Sequence, residues 1–144
     1  MARIEFHFNA PALVPYACRL LRKVHGRGLR AQVVGNSTTL AQLDQALWTF
    51  SPLDFLPHCD ANASPGMRSA STVLLTEQAS PQWDRQILIN LGEAIPEGFE
   101  GFARIIDVVT VDDLHRAQGR ERWRQYSQMG HDLVRHDLAR PEKP

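Results

Sequence analysis

Three arginines spaced four residues apart, Arg116, Arg120 and Arg124, share a short stretch with Trp123 near the end of the chain. Guanidinium groups are planar forks that bind carboxylates and phosphates through paired bonds, and a tryptophan adds a large apolar face. On a helix at about 100° per residue, with Leu114 at zero, the arginines fall at about 200°, 240° and 280° and Trp123 at about 180°. Val111, Tyr126, Met129 and Leu133 fall at about 60°, 120°, 60° and 100°, which predicts a core-facing stripe on the other side. A run of arginines is by itself a solvated helix face, and Glu121 and Asp113 could neutralise part of it. The tryptophan changes that reading, because aromatic residues among arginines compose interface hot spots. Two chemistries suit the set: recognition of an acidic peptide with an aromatic anchor, or of nucleic acid through phosphate contacts and base stacking.

A second unusual stretch runs from Leu43 to His58 and holds Trp48, Phe50 and Phe55 with Pro52 and Pro57. Leu43 and Leu47 are expected in the core. The three aromatics are a large apolar load for a short connection, so they either cover a partner or form a satellite cluster under the following loop.

Other chemistries lack their signatures. No G-x-x-x-x-G-K-[ST] occurs, and the turn after the first strand is Asn9-Ala10-Pro11 instead of a glycine-rich phosphate loop. Gly26-Arg27-Gly28 follows a helix and reads as its stop. None of the six histidines sits in H-E-x-x-H or beside a cysteine pair, so no metal site is expected. His58-Cys59-Asp60 is the only cluster of its kind and reads as loop. There is no G-x-S-x-G elbow and no distinctive carboxylate pair; catalytic residues and cofactors are expected to be absent. Cys18 and Cys59 form no framework, which fits a reducing, cytoplasmic compartment. The opening residues lack the apolar core of a signal peptide and no run approaches a membrane span, so no membrane association is expected.

These side chains must be held by a fold of ordinary composition. The 144 residues carry 16 Lys+Arg against 16 Asp+Glu, and the zero net charge excludes a histone-like binder. The charge is unevenly placed. Residues 6–43 carry five bases and no acid, residues 44–113 eleven acids and three arginines, and residues 114–144 seven bases and four acids. Alternation predicts a strand at 3–8, and the spacing of Leu13, Tyr16, Ala17, Leu20, Leu21 and Val24 predicts a helix over 11–24. A strand at 30–34 follows, then a helix from Thr39, which carries capping-box spacing, to about Trp48. The stretch 49–81 is irregular, with a mobile loop expected over 60–71 and a short strand at 72–75. Strands at 86–91 and 103–109 precede the last helix, which starts after Thr110. Strands alternating with helices predict a three-layer α/β/α, Rossmann-like fold with a mainly parallel sheet of about five strands. One domain is expected over 1–139, with a charged tail at 140–144.

With the elements in order, the sequence resembles the chi subunit family of bacterial DNA polymerase III. The resemblance runs through Asp44-Gln45-Ala46-Leu47-Trp48, Phe55-Leu56-Pro57-His58, Ile87-Leu88-Ile89-Asn90-Leu91 and Arg120-Glu121-Arg122-Trp123-Arg124-Gln125-Tyr126. Its most specific parts are L-D-x-x-L-W followed by F-x-P-H, and R-E-R-[YW]-[KR]-x-Y. The resemblance implies a non-catalytic replication adaptor that links the clamp loader to single-stranded-DNA-binding protein by holding its acidic, phenylalanine-terminated tail. Arg120 would hold the terminal carboxylate, Arg116 and Arg124 would add cations, and Trp123 would wall an apolar pocket. The family commonly has Lys in place of Arg116 and Arg124 and Tyr in place of Trp123, so individual bonds do not transfer. Trp48, Phe55 and Pro57 resemble the surface that docks the psi subunit, and single-stranded DNA would be met mainly through the coating protein, at the replisome on the nucleoid. Direct single-stranded nucleic-acid binding by the arginine and tryptophan face is the alternative; a nucleotide-binding α/β domain is a third reading, without phosphate loops to support it.

Overall fold

The computed structural model describes residues 3–49, 56–60, 62–80, 83–84 and 86–139. The expected tail at 140–144 and the aromatics Phe50 and Phe55 lie outside the described residues. Elements follow in the order β1 (Arg3–Ala10), α1 (Leu13–Gly26), β2 (Ala31–Val34), α2 (Ser37–Thr49), β3 (His58–Asp60), α3 (Pro65–Ala70), β4 (Val73–Thr76), β5 (Ile87–Asn90), β6 (Arg104–Thr110), α4 (Asp113–Gln128) and β7 (Leu133–Asp137). A 3-10 turn at Phe99–Gly101 precedes β6. The strands form one sheet in the order β3-β4-β2-β5-β6-β1-β7, and every observed pairing is parallel. Parallel sheets need apolar cover on both faces, which explains the near-continuous hydrophobic runs of Val73–Leu75, Ile87–Ile89 and Ile105–Ile106.

The two faces bury separate cores. Ala31, Val33, Leu75, Ile89, Ile106 and Val108 meet α1 and α2, whereas Ile4, Phe6, Val34, Leu88, Ile105 and Val109 meet Phe99, Phe102 and Tyr126. Helix α1 ends in a Schellman turn: the Leu29 N–H reaches the Val24 carbonyl, the Gly28 N–H reaches the His25 carbonyl, and Gly28 takes a φ of 70° that glycine adopts without strain. Among the described residues no helix is long and apolar enough to cross a membrane.

The architecture agrees with the α/β expectation, and among the described residues the sheet has seven strands against the predicted five or so. The additional strands are its two edges, β3 and β7. β3 coincides with His58-Cys59-Asp60, read as loop, and lies parallel to β4. β7 occupies residues that the predicted helical stripe, extended through Leu133, assigns to the helix. Helix α4 in fact stops at a second Schellman turn, with His131 N–H on the Tyr126 carbonyl, Gly130 N–H on the Ser127 carbonyl and Gly130 at φ 87°. Val111 and Met129 then fall outside the helix and are exposed, while Leu133 belongs to the strand.

Two smaller expectations are also corrected. Helix α2 is capped by Asn36, whose Oδ1 accepts the Thr39 N–H at 2.8 Å, so Thr39 lies inside the helix and does not start it. The stretch expected as a loop over 60–71 contains α3, where the Ser64 hydroxyl accepts the Met67 N–H and Pro65 opens the first turn. Arg30 pins this segment through the carbonyls of Arg68 and Ser71 and stacks its guanidinium 4.2 Å from the Trp83 ring centroid. Buried Gln32 holds the next turn by donating to the Ser80 carbonyl and accepting the Ser80 N–H, both at 2.8 Å.

Candidate functional site

The chain leaves β6, forms α4 and returns as β7 on the far side of β1, so α4 must cross over β1. Beneath that crossing is a cleft of about 360 Å³. Its apolar floor comes from Phe6 and Phe8 of β1 and Val109 of β6. Alternation in β1 sends Phe6 and Phe8 to this face and Glu5 and His7 to the other. Gly119 lets the helix come close: a Cβ there would stand 2.7 Å from Val109 Cγ2, a clash with a stiff β-branched side chain. Asn9 lines one end, with a left-handed φ of 64° and its amide donating to Asp137 Oδ1 at 2.8 Å.

Trp123 is half-buried and forms one wall, standing edge-on to Phe6 with ring centroids 5.1 Å apart. Arg116 and Arg120 reach the cleft from α4, and Arg135 reaches it from β7. The Arg135 guanidinium lies 5.2 Å from the Phe8 ring centroid and 5.9 Å from that of Trp123, within cation–π range. Among the described residues no Asp or Glu lines the cleft. An apolar floor under a rim of guanidinium groups suits a ligand that joins an apolar group to an anion.

Three of the four residues expected at this site, Arg116, Arg120 and Trp123, therefore share one cleft. Arg124 does not line it. A further 40° around the helix turns Arg124 out to solvent, where its Nη2 donates to Glu121 Oε2 at 2.5 Å. That carboxyl is held below its ordinary value first by this bond. Sequence periodicity missed Phe6 and Phe8, which come from the strand beneath the helix, and Arg135, which comes from the strand after it. A glycine at position 130 as a helix stop was the available signal for β7 and hence for Arg135.

The helix is anchored by a residue that the wheel also contained. Arg122 falls at about 80°, within the apolar stripe. It is buried, as are Gly119 and Tyr126. Its Nε and Nη2 donate to Asp107 Oδ2 and Oδ1, both at 2.8 Å, and Nη1 donates to the Glu93 carbonyl at 2.8 Å. Asn90 donates to Asp107 Oδ2 at 3.3 Å. Burial raises the Asp107 carboxyl above its ordinary value, against the pull of Arg122 and Asn90. The fork fixes α4 on β6 and on the turn after β5, and with it the rotation that aims Arg116, Arg120 and Trp123 at the cleft.

Tyr126 packs among Phe6, Phe99 and His131, but its buried hydroxyl has no hydrogen-bond partner among the described residues. Tyr126→Phe removes that unsatisfied group and keeps the ring. The variant is expected to unfold within about 0.5 kcal/mol of the parent or at higher stability, as read by urea denaturation.

At the distant aromatic stretch, Trp48 lies on the exposed side of α2 with its ring 5.0 Å from that of His58. Pro57, next to His58 in the chain, is half-buried. His58 is buried, with Nδ1 2.7 Å from the Leu56 carbonyl and Nε2 3.1 Å from Asp44 Oδ1. Phe55 lies outside the described residues. Among the described residues, the side chains able to hold a metal ion are Glu5, His7 and His136, on the sheet face opposite the cleft.

Comparison with known proteins yields a consistent match. The family model described as DNA polymerase III chi subunit, HolC, matches residues 1–134. The DNA polymerase III subunit chi of Pseudomonas aeruginosa is 28% identical over 145 residues, covering 97% of this chain and 99% of that protein. The subunit chi of Haemophilus influenzae is 30% identical over 118 residues, covering 81% of each chain. That of Escherichia coli is 29% identical over 92 residues, covering 64% of this chain and 62% of its own.

Proposed function

The chain belongs to the DNA polymerase III chi subunit family, and from that premise we propose that it is a non-catalytic adaptor whose cleft holds the acidic C-terminal tail of single-stranded-DNA-binding protein. The observation that carries this reading is the cleft itself: Arg116, Arg120 and Arg135 rim a floor of Phe6 and Phe8, with Trp123 as a wall and no acid among the described lining residues. A tail ending in phenylalanine presents an aromatic ring and a carboxylate on one residue. The ring replaces water over the floor, and the carboxylate takes paired N–H bonds from a guanidinium. Arg120 is the carboxylate holder, Arg116 and Arg135 attract the tail's acids, and Arg124, engaged by Glu121, contributes little.

A carboxylate clamp plus one buried aromatic corresponds to a Kd of roughly 1 μM, about −8 kcal/mol. Such contacts exchange readily. An oligomeric coating protein offers several tails, so effective concentration holds the adaptor to coated DNA while each contact turns over. A second contact, at Trp48, Phe55 and Pro57, is proposed to join a psi subunit or equivalent clamp-loader component, on the strength of the family motif.

The test is a titration with a short acidic peptide ending in phenylalanine, followed by tryptophan fluorescence against a Trp123→Phe control. Saturable binding is expected that disappears when the terminal carboxylate is amidated and weakens as salt screens the rim. Peptide binding that is absent, beside saturable and strongly salt-dependent binding of an oligonucleotide, would replace this reading with direct nucleic-acid recognition.

A further inference from the structure

β1 and β7 are neighbours in register, with His7 directly opposite His136. Both side chains point away from the cleft, toward the α1 side of the sheet, where Glu5 also points. Glu5 Oε1 lies 3.5 Å from His7 Nε2 and 3.1 Å from His136 Nε2, and all three donor atoms fall within 4.8 Å of one another. Glu5 and His7 are buried, while the His136 side chain is about one-third exposed at the sheet edge. Both Nε2 atoms are buried and have no hydrogen-bond partner among the described residues. Two imidazole nitrogens converging on one carboxylate oxygen, in ion-pair range but without hydrogen-bond geometry, are arranged as donors around a common point.

We propose that Glu5, His7 and His136 bind a divalent transition-metal ion of the zinc class. Donors held about 2.0–2.1 Å from a tetrahedral zinc stand about 3.3–3.4 Å apart, and the two glutamate-to-histidine separations bracket that edge. The remaining edge closes by movement of the His136 ring, the most exposed of the three. The outer groups are those that metal ligands use. His7 Nδ1 is 2.5 Å from the Tyr16 hydroxyl, so donation from Nδ1–H leaves the Nε2 lone pair free for the ion. Arg104 binds both oxygens of Glu5, through Nε to Oε2 and through Nη2 to Oε1 at 3.0 Å, and Arg3 Nε lies 3.4 Å from Oε2. A carboxylate oxygen has two lone pairs, so Oε1 accepts Arg104 with one and meets the ion with the other. The two guanidinium groups lower the affinity below that of an unopposed site. With three protein donors, the fourth position of a tetrahedral ion is left to water, on the side of the partly exposed His136. The ion staples the edge strand β7 to β1 on the face opposite the cleft, independently of what the cleft binds.

The experiment uses the full, untagged chain, stripped with chelator and titrated with Zn²⁺ by calorimetry, with melting temperature and histidine NMR as second readouts. One Zn²⁺ per chain is expected, with a rise in Tm and with shifts confined to the His7 and His136 imidazole signals. Since loss of even an outer-shell partner costs about 10–100-fold in affinity, His136→Gln should weaken binding at least tenfold, while His25→Gln leaves it unchanged. No binding at micromolar Zn²⁺, binding that survives His136→Gln, or bound zinc that leaves the His7 and His136 signals in place in the parent chain would each overturn the assignment. The NMR readout decides the matter even where a variant folds poorly.

Discussion

Arg122→Ala is expected to lower the unfolding free energy by about 3–5 kcal/mol, the cost of stranding one member of a buried ion pair. Asp107 is fully buried in β6 and receives both fork nitrogens of Arg122. Alanine leaves that carboxylate with the Asn90 amide as its remaining hydrogen-bond partner among the described residues and frees the Glu93 carbonyl. At about 2–4 °C per kcal/mol for a chain of this size, the melting temperature should fall by about 6–20 °C. The figure measures the damage of breaking the pair and not the net worth of having it, so Arg122→Leu with Asp107→Leu should cost less than either single change.

The sign of the pH dependence follows from Asp107. Its folded-state carboxyl is already raised by burial, and removing Arg122 raises it further. In the variant, folding is therefore favoured below the ordinary aspartate value and loses that support as pH rises through the raised folded value. The deficit against the parent should be widest at neutral pH and narrow on acidification, which urea denaturation at a series of pH values would measure. A constant deficit would mean that Arg122 acts by packing alone.

Arg120→Ala is expected to weaken binding of the acidic, phenylalanine-terminated peptide by about 1.5–3 kcal/mol, the range for a bond to a charged group, or about 10–150-fold in Kd. Arg120 is exposed, lines the cleft and has no ion pair among the described residues, so its removal should leave stability nearly unchanged. Arg124→Ala supplies the contrast. Arg124 has the same charge four residues later on the same helix, yet it points away and pairs with Glu121. It should change affinity only slightly, through the long-range field that salt screens. Equal losses at the two positions would mean that the helix acts as a diffuse basic patch, and an unchanged affinity after Arg120→Ala would remove the clamp from the proposal.

The two predictions concern neighbouring residues on one helix with opposite fates, and the sequence distinguishes them poorly. Periodicity places Arg116, Arg120 and Trp123 on one side of α4 because the backbone repeat alone sets their angular separation. It places Arg122 just as firmly in the apolar stripe, but an arginine reads as a surface residue until its carboxylate is found. Asp107 lies 15 residues earlier on another element. Likewise, His7 and His136 are 129 positions apart in the chain, and only the pairing of β1 with β7 makes them neighbours. The floor of the cleft has the same origin: Phe6 and Phe8 were legible as one face of a strand, but not as the surface under Trp123.

The sequence by itself determined the class of fold, five of its seven strands, the helices α1, α2 and α4, and the family, because alternation, 3.6-residue periodicity and short motifs are local properties of the chain. The tertiary structure decided which charges are used. Crossing α4 over β1 brings Arg135 into the cleft, turns Arg124 out of it, buries Arg122 against Asp107 and places two histidines beside Glu5. Each of these outcomes depends on strand order, and strand order is set by which faces bury the most apolar surface together, a sum over the whole chain that no single segment carries.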